Sequence, residues 1–275
     1  MQVTMVGHST VLLEGAGTRL LTDPWFGTSG NLAYERLAPP AFRREELREI
    51  DGVLFSHGHW DHSDRKFLRA LDARVPVLGP SGSPAMRWLK GARNFRPMRP
   101  WERCAVGAAA ITAVPALHLA RTVGFVVELD GCCAYFAGDT YHRPFMAEIG
   151  RRFRIDVALM PVATFRLPMT MGDRGAVAAV ADLGTATVIP IHLGIAPRSP
   201  LLRTGQSVAS FERRLRDAGS PAAVVHLREG ESWAAPALAM KPNRSNTAIA
   251  SGPQSQATTA RDLSSSGRER SAARA

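Results

Sequence analysis

Residues 53–62 read V-L-F-S-H-G-H-W-D-H, an apolar run through Phe55 followed by His57, His59, Asp61 and His62. The apolar part predicts a buried strand, and on an extended backbone residues two apart share a face, so His57 and His59 point the same way. They can grip one cation together. Asp61 and His62 fall where the strand gives way to the next helix, and the bend turns them toward a neighbouring point, where a second cation can sit. Imidazole suits zinc and other first-row metals, and a carboxylate in the same cluster completes a mixed nitrogen and oxygen shell. The bland alternative, surface histidines and helix caps, would win for one histidine. It does not account for four ligand-type side chains in six positions.

Working outward, three further strand-like runs end in residues of the same kind. His118 follows I-T-A-V-P-A-L, Asp139 ends C-A-Y-F-A-G-D, and His192 ends T-V-I-P-I-H. Each alone reads equally well as a core histidine or a turn aspartate. Together they place His, Asp and His at separate strand tips, and Gly138 permits a tight turn and close backbone approach beside Asp139. Asp23 closes the run T-R-L-L-T-D-P, where Pro24 stops the ladder and leaves a carboxylate at another tip.

The rest of the chain predicts an antiparallel meander at Val3–Val6, Thr10–Glu14 and Thr18–Thr22. A long surface flap follows at Gly27–Pro40, then a short helix at Arg44–Ile50. After His62, Ser63 or Asp64 can cap a helix, with further helices at Ser83–Lys90, Pro144–Arg151, Gly172–Leu183 and Gln206–Ala218. A β-rich section spans about Cys104–Ala137. Single strands are expected at Val75–Leu78, Val157–Met160, Thr187–Ile191, Val224–Leu227 and Ser232–Ala234.

The 275 residues and 45% apolar content suffice for one large core. Residues 1–235 read as that folded domain. From Pro236 to Ala275 the composition turns to Ser, Ala, Thr, Arg and Asn, which reads as a disordered basic tail. It carries six of the basic residues (Lys241, Arg244, Arg261, Arg268, Arg270, Arg274) against Asp262 and Glu269, part of a net charge of +10. No basic run is interleaved with aromatics, so no nucleic-acid partner is expected. Cys104, Cys132 and Cys133 lack paired spacing, which suits a reducing compartment, and no export signal or membrane span is visible. A cytoplasmic protein is the expectation.

S-H-G-H-W-D-H resembles the H-x-H-x-D-H signature of the metallo-β-lactamase superfamily. G-H-S-T, L-T-D-P-W-F, A-G-D-T, T-M-G-D-R-G-A and V-I-P-I-H-L-G are similar to the branch containing ascorbate-6-phosphate lactonase and the N-acyl-phosphatidylethanolamine phospholipase D. The likeness spans about residues 2–230. It implies an α+β fold, a four-layer αβ/βα sandwich with two divalent metal ions at one edge, zinc by default with manganese or iron as alternatives. It implies that His57, His59 and His118 hold the first ion, that Asp61, His62 and His192 hold the second, and that Asp139 bridges them. Asp23 would orient a ligand histidine. His8 would be a buried, hydrogen-bonded neighbour, His142 a pocket residue and His226 structural.

The activity so implied is hydrolysis by a metal-bridging hydroxide, with Asp61, Asp139 and His192 as catalytic residues. The expected substrate is a small anionic molecule: a phosphodiester, a phosphosugar lactone or a related ester. Arg121, Arg143, Arg166 and Arg198 are candidate anion contacts. A nuclease of the same superfamily and a non-enzymatic metal- or ligand-binding protein are the alternatives, and an oligomer is compatible with all three.

Overall fold

The computed structural model describes residues 1–82 and 94–236. The chain clusters into two units, Met1–Lys241 and Pro242–Ala275, and every described residue belongs to the first. The helix expected at Ser83–Lys90 and the tail expected beyond Pro236 lie outside the described residues.

The described residues build two seven-stranded mixed sheets. The first begins with the expected meander, β1 (Gln2–Gly7), β2 (Thr10–Gly15) and β3 (Thr18–Thr22). A small strand, β4 (Tyr34–Arg36), stands apart from it. Then β5 (Gly52–Leu54), β6 (Val77–Pro80) and β7 (Phe95–Met98) add in parallel beyond β3.

The second sheet repeats the plan. β8 (Arg103–Val106), β9 (Ala109–Pro115), β10 (Val123–Leu129) and β11 (Cys132–Phe136) run antiparallel. β12 (Val157–Pro161), β13 (Thr187–Ile191) and the two-residue β15 (Ala223–Val224) then add in parallel. Between them in sequence, β14 (Ile195–Pro197) pairs with β4, and the last strand, β16 (Ser232–Ala234), returns to β1. The tight hairpins fit their residues: Ala16-Gly17 and Asp130-Gly131 all have positive φ, the requirement of a two-residue turn that keeps the strand twist.

Alternation along the strands explains the layering. Leu13, Leu20 and Leu54 of the first sheet pack with Ile111, Phe125, Phe136, Leu159 and Ile189 of the second in one apolar layer. Their neighbours face outward. Leu12, Leu21 and Val53 meet Phe67 and Leu68 of α1 (Arg65–Ala70). Tyr135, Ala158 and Val188 meet α2 (Phe145–Arg152), α3 (Asp173–Leu183) and α4 (Val208–Asp217). Both faces of both sheets are therefore apolar, which produces the α+β sandwich with helices outside and sheets within. Each fully buried Leu, Ile or Phe contributes about 2 kcal/mol, so a one-residue slip that turned a strand over would forfeit several at once.

Two expectations change in detail, and one strand was not expected at all. Arg44–Ile50 forms only a 3-10 turn at Arg44–Leu47. The flap contains β4, whose pairing with β14 makes a two-stranded ribbon out of segments with no strand pattern. Phe95–Met98 is a strand despite Pro97, tolerated because β7 is the edge of its sheet. No described helix is long and apolar enough to cross a membrane.

Candidate metal centre

The carboxyl ends of β3, β5, β9, β11 and β13 and the end of β1 meet at one edge of the sandwich. β5 ends at Leu54, so the loop after it, rather than the strand pleat, aims His57 and His59. Their rings are 4.6 Å apart, and His118 lies 4.8 Å from each. Nδ1 of His59 and Nε2 of His118 are separated by 3.1 Å. Asp139 sits between two groups of rings. Its Oδ2 is 3.8 Å from Nε2 of His57, 3.7 Å from Nε2 of His118 and 3.2 Å from Nε2 of His192, while Oδ1 is 3.3 Å from Nε2 of His62. Oδ2 of Asp61 is 4.0 Å from Nε2 of His62 and 3.9 Å from Nε2 of His192.

All seven residues singled out in the sequence thus converge, and they divide into two nests. His57, His59, His118 and Asp139 form one; Asp61, His62 and His192 form the other, joined by His8, with ligand atoms in each within 4.8 Å of one another. Nitrogen ligands about 2 Å from a tetrahedral ion stand about 3.3 Å apart, near these separations. Nε2 of His57, Nε2 of His62 and Oδ1 of Asp139 are buried without a hydrogen-bond partner, a costly state for polar atoms unless a cation satisfies them. The donor set therefore fits divalent metal.

One carboxylate organises both nests. Asp23, wholly buried, accepts a hydrogen bond from Nδ1 of His62 at 2.7 Å, which turns Nε2 of His62 to the centre. It also accepts from the Ser56 backbone N–H at 2.6 Å and hydroxyl at 2.5 Å. With its proton committed to Asp23, the Ser56 Oγ accepts from Nδ1 of His57 at 2.9 Å, so His57 too presents Nε2 inward. Ser56 was not singled out in the sequence; its position just before the first histidine was the available signal. Gly138 is needed beside it: φ is +54, and a Cβ there would lie 2.5 Å from that of Ser56. Backbone outliers gather here as well, with φ of 60 at His8, 29 at Asp23 and 60 at His192, strain that the packed strand ends hold in place.

Electrostatics differ between the nests. Burial drives His57 well below the ordinary histidine value, lowers His59, and brings His118 to about 4. His62 is raised well above it: burial opposes the charge, but Asp139, Asp61 and Asp23 surround the ring. The converse holds for Asp139 and Asp61, both kept ionised by adjacent imidazoles despite burial. Burial pushes Asp23 upward, against the pull of His62 and Ser56.

The flap closes one side. Beyond the β4–β14 ribbon, Tyr34 stacks on Phe165 at 5.3 Å, and the Arg198 backbone N–H donates to the Ala33 carbonyl at 2.9 Å. Trp25 packs edge-on against His8 at 5.2 Å and Trp60 at 5.1 Å, with the Arg36 guanidinium 4.0 Å over its ring. Of the four candidate arginines, Arg198 is engaged within the flap, donating to the Asn31 carbonyl and facing Glu35; Arg121 and Arg166 are exposed. Arg143 lines a groove of about 530 Å³ with Tyr141, His142 and Thr164. His142 is thus a groove residue, paired with Asp182 at 2.7 Å. His226 is exposed and outside the convergence, whereas His8 is buried and hydrogen-bonded as expected.

Residues 18–193 match the family model described as beta-lactamase superfamily domain. A UPF0173 metal-dependent hydrolase of Herpetosiphon aurantiacus is 29% identical, covering 86% of this chain and 98% of the relative. One of Korarchaeum cryptofilum is 31% identical over 85% and 99%. Among solved structures, a metallo hydrolase of the hyperthermophilic archaeon Ignicoccus hospitalis superposes with a TM-score of 0.68 at 22% identity, covering 84% and 97%, a likeness of fold. The chain therefore belongs to the metallo-β-lactamase superfamily, within its UPF0173 group of metal-dependent hydrolases.

Proposed function

We propose that the protein is a cytoplasmic binuclear hydrolase acting on a small anionic substrate, a phosphodiester, a phosphosugar lactone or a related ester. The observation that carries this reading is the convergence of five histidines and two aspartates on one buried point, with ring nitrogens and a carboxylate oxygen lacking partners. His57, His59 and His118 would hold one ion, Asp61, His62 and His192 the other, and Asp139, whose carboxylate faces rings of both nests, would belong to both. Divalent ions supply an acidified water and positive charge for the oxygen on which charge builds up, with zinc the ion that best suits so many imidazoles.

The chain's own groups set the geometry for that chemistry. Asp139 and Asp61, ionised when metal-free, offset the cations' charge. Asp23 holds the proton on Nδ1 of His62, so that ring keeps Nε2 turned to the centre without rotating. His192, at a strand tip, has Nε2 3.2 Å from Asp139 and 3.9 Å from Asp61, so it faces both carboxylates of the centre. Trp25, packed on His8 and edge-on to Trp60, would exclude water from that side of the centre. The branch likeness in G-H-S-T and V-I-P-I-H-L-G favours phosphodiester and lactone substrates, and Arg143 beside the groove offers a cation for their anionic group.

The test combines elemental analysis of the purified protein with a hydrolysis screen over a generic phosphodiester, a lactone, a carboxylic ester and single-stranded RNA. Two equivalents of metal and turnover of the small phosphodiester or lactone, abolished by chelation, are expected. Full turnover without stoichiometric metal would sink the reading, and cleavage of RNA alone would replace it with the nuclease.

A further inference from the structure

His8 stands outside the seven-residue set, yet its ring is built into the second nest. Nδ1 lies 2.7 Å from the Leu193 carbonyl oxygen. A carbonyl oxygen only accepts, so the neutral ring carries its proton on Nδ1 and a lone pair on Nε2. That Nε2 is buried without a hydrogen-bond partner and faces Oδ2 of Asp61 at 3.4 Å. Two buried acceptors pointed at one another are unfavourable until something positive lies between or beside them.

The same nitrogen falls within 4.8 Å of ligand atoms on Asp61, His62 and His192. The rings of His192 and His62 are 4.4 Å and 5.4 Å away. The ring is also fixed in place. Trp25 backs it at 5.2 Å, the His192 backbone N–H donates to the His8 carbonyl at 3.1 Å, and the residue holds φ of 60 after Gly7 at φ 148. A non-glycine residue kept in the left-handed region, with its distal nitrogen aimed at a cluster of donors, is strain retained at a site.

We infer that His8 is a further ligand of the second ion through Nε2, giving that position three imidazoles, from His8, His62 and His192, beside Asp61. The inference rests on the binuclear reading above. Its rival is a positioning role, in which Nε2 shares a proton with Asp61 and never meets the ion.

His8→Asn separates the two. Asparagine tolerates positive φ and keeps a donor near Nδ1, so the fold and the Leu193 hydrogen bond are expected to survive, while Nε2 is deleted. Wild type and variant would be loaded with cobalt(II), and two quantities read. One is the affinity for each ion from competition with a chelator. The other is the number of contact-shifted, exchangeable imidazole N–H resonances in the proton spectrum.

The expected result is an unchanged first ion, a second ion weakened about 100-fold or more, and the loss of one shifted N–H resonance. A smaller loss of affinity with every other shifted resonance intact and none missing would assign His8 to positioning and overturn the inference while leaving the binuclear centre standing. Wild-type protein that takes up no cobalt would instead remove the centre itself. Thermal unfolding of the metal-free pair shows whether the variant folds; should it not, His8→Gly, which accepts φ of 60 and likewise deletes Nε2, carries the comparison.

Discussion

The two nests meet at Asp139 but are built on opposite electrostatic terms. The first, His57, His59 and His118, is a set of imidazoles held neutral by burial, and it is tied only at His57, through Ser56: Nδ1 of His118 has no partner, and His59 is only partly buried. The second pairs His62, His192 and His8 with Asp61, and its outer nitrogens are anchored, His62 on Asp23 and His8 on the Leu193 carbonyl. One nest is thus ready for a cation without losing a proton. The other is pre-aimed but holds a proton on His62 where the ion would go.

The largest effect should come from the residue the nests share. Asp139→Ala removes the oxygens that face His57, His118, His192 and His62, leaving those rings without their common counter-charge. Both ions should be lost and turnover should fall by about 10³-fold or more. Elemental analysis checks this directly. Retention of one full equivalent would show that the nests are independent sites rather than halves of one centre.

The support network allows a finer division. Asp23→Ala takes the acceptor from His62 directly and from His57 through Ser56, so both ions should weaken, by about 10- to 100-fold. Ser56→Ala interrupts only the branch to His57, and its effect should be confined to the first ion. Titration with a chelator distinguishes these outcomes. Equal losses in the two variants would mean that Asp23 reaches the second nest by some route other than the His62 hydrogen bond.

How much of this was legible in the sequence follows from range and period. The seven convergent residues stood out because ligand-type side chains end apolar runs, whereas the sandwich was implied by the motif likeness rather than by alternation, since strands such as Val123–Leu129 are buried almost throughout. Ser56 did not stand out, since a serine before a histidine has no periodic signature and its partner is 33 residues away. His8 was legible as buried but not as the fourth member of a nest, because its approach to Asp61 depends on two left-handed residues, His8 and His192, that no pattern announces. The β4–β14 ribbon was hidden for a related reason: three-residue strands carry too little alternation to register against the flap around them.

The smallest effect, and the one that most sharpens the contrast between the nests, is the proton count on metal binding. His57, His59 and His118 have folded values below 6.5, His118 at about 4, so at pH 7 they are already neutral and the first ion should displace no histidine proton. His62 has a folded value well above 6.5 and carries a proton at pH 7 that the second ion must displace. Affinity for the second ion should then rise about tenfold per unit as pH increases toward the folded His62 value, because each bound ion releases one proton. Affinity for the first should stay level through neutral pH and weaken as acid protonates its imidazoles, His118 taking up its proton near about 4. Calorimetric titration in two buffers of different ionisation enthalpy measures both counts. A proton released with the first ion and none with the second would reverse the assignment of charge to the nests, and with it the role given to the three carboxylates around His62.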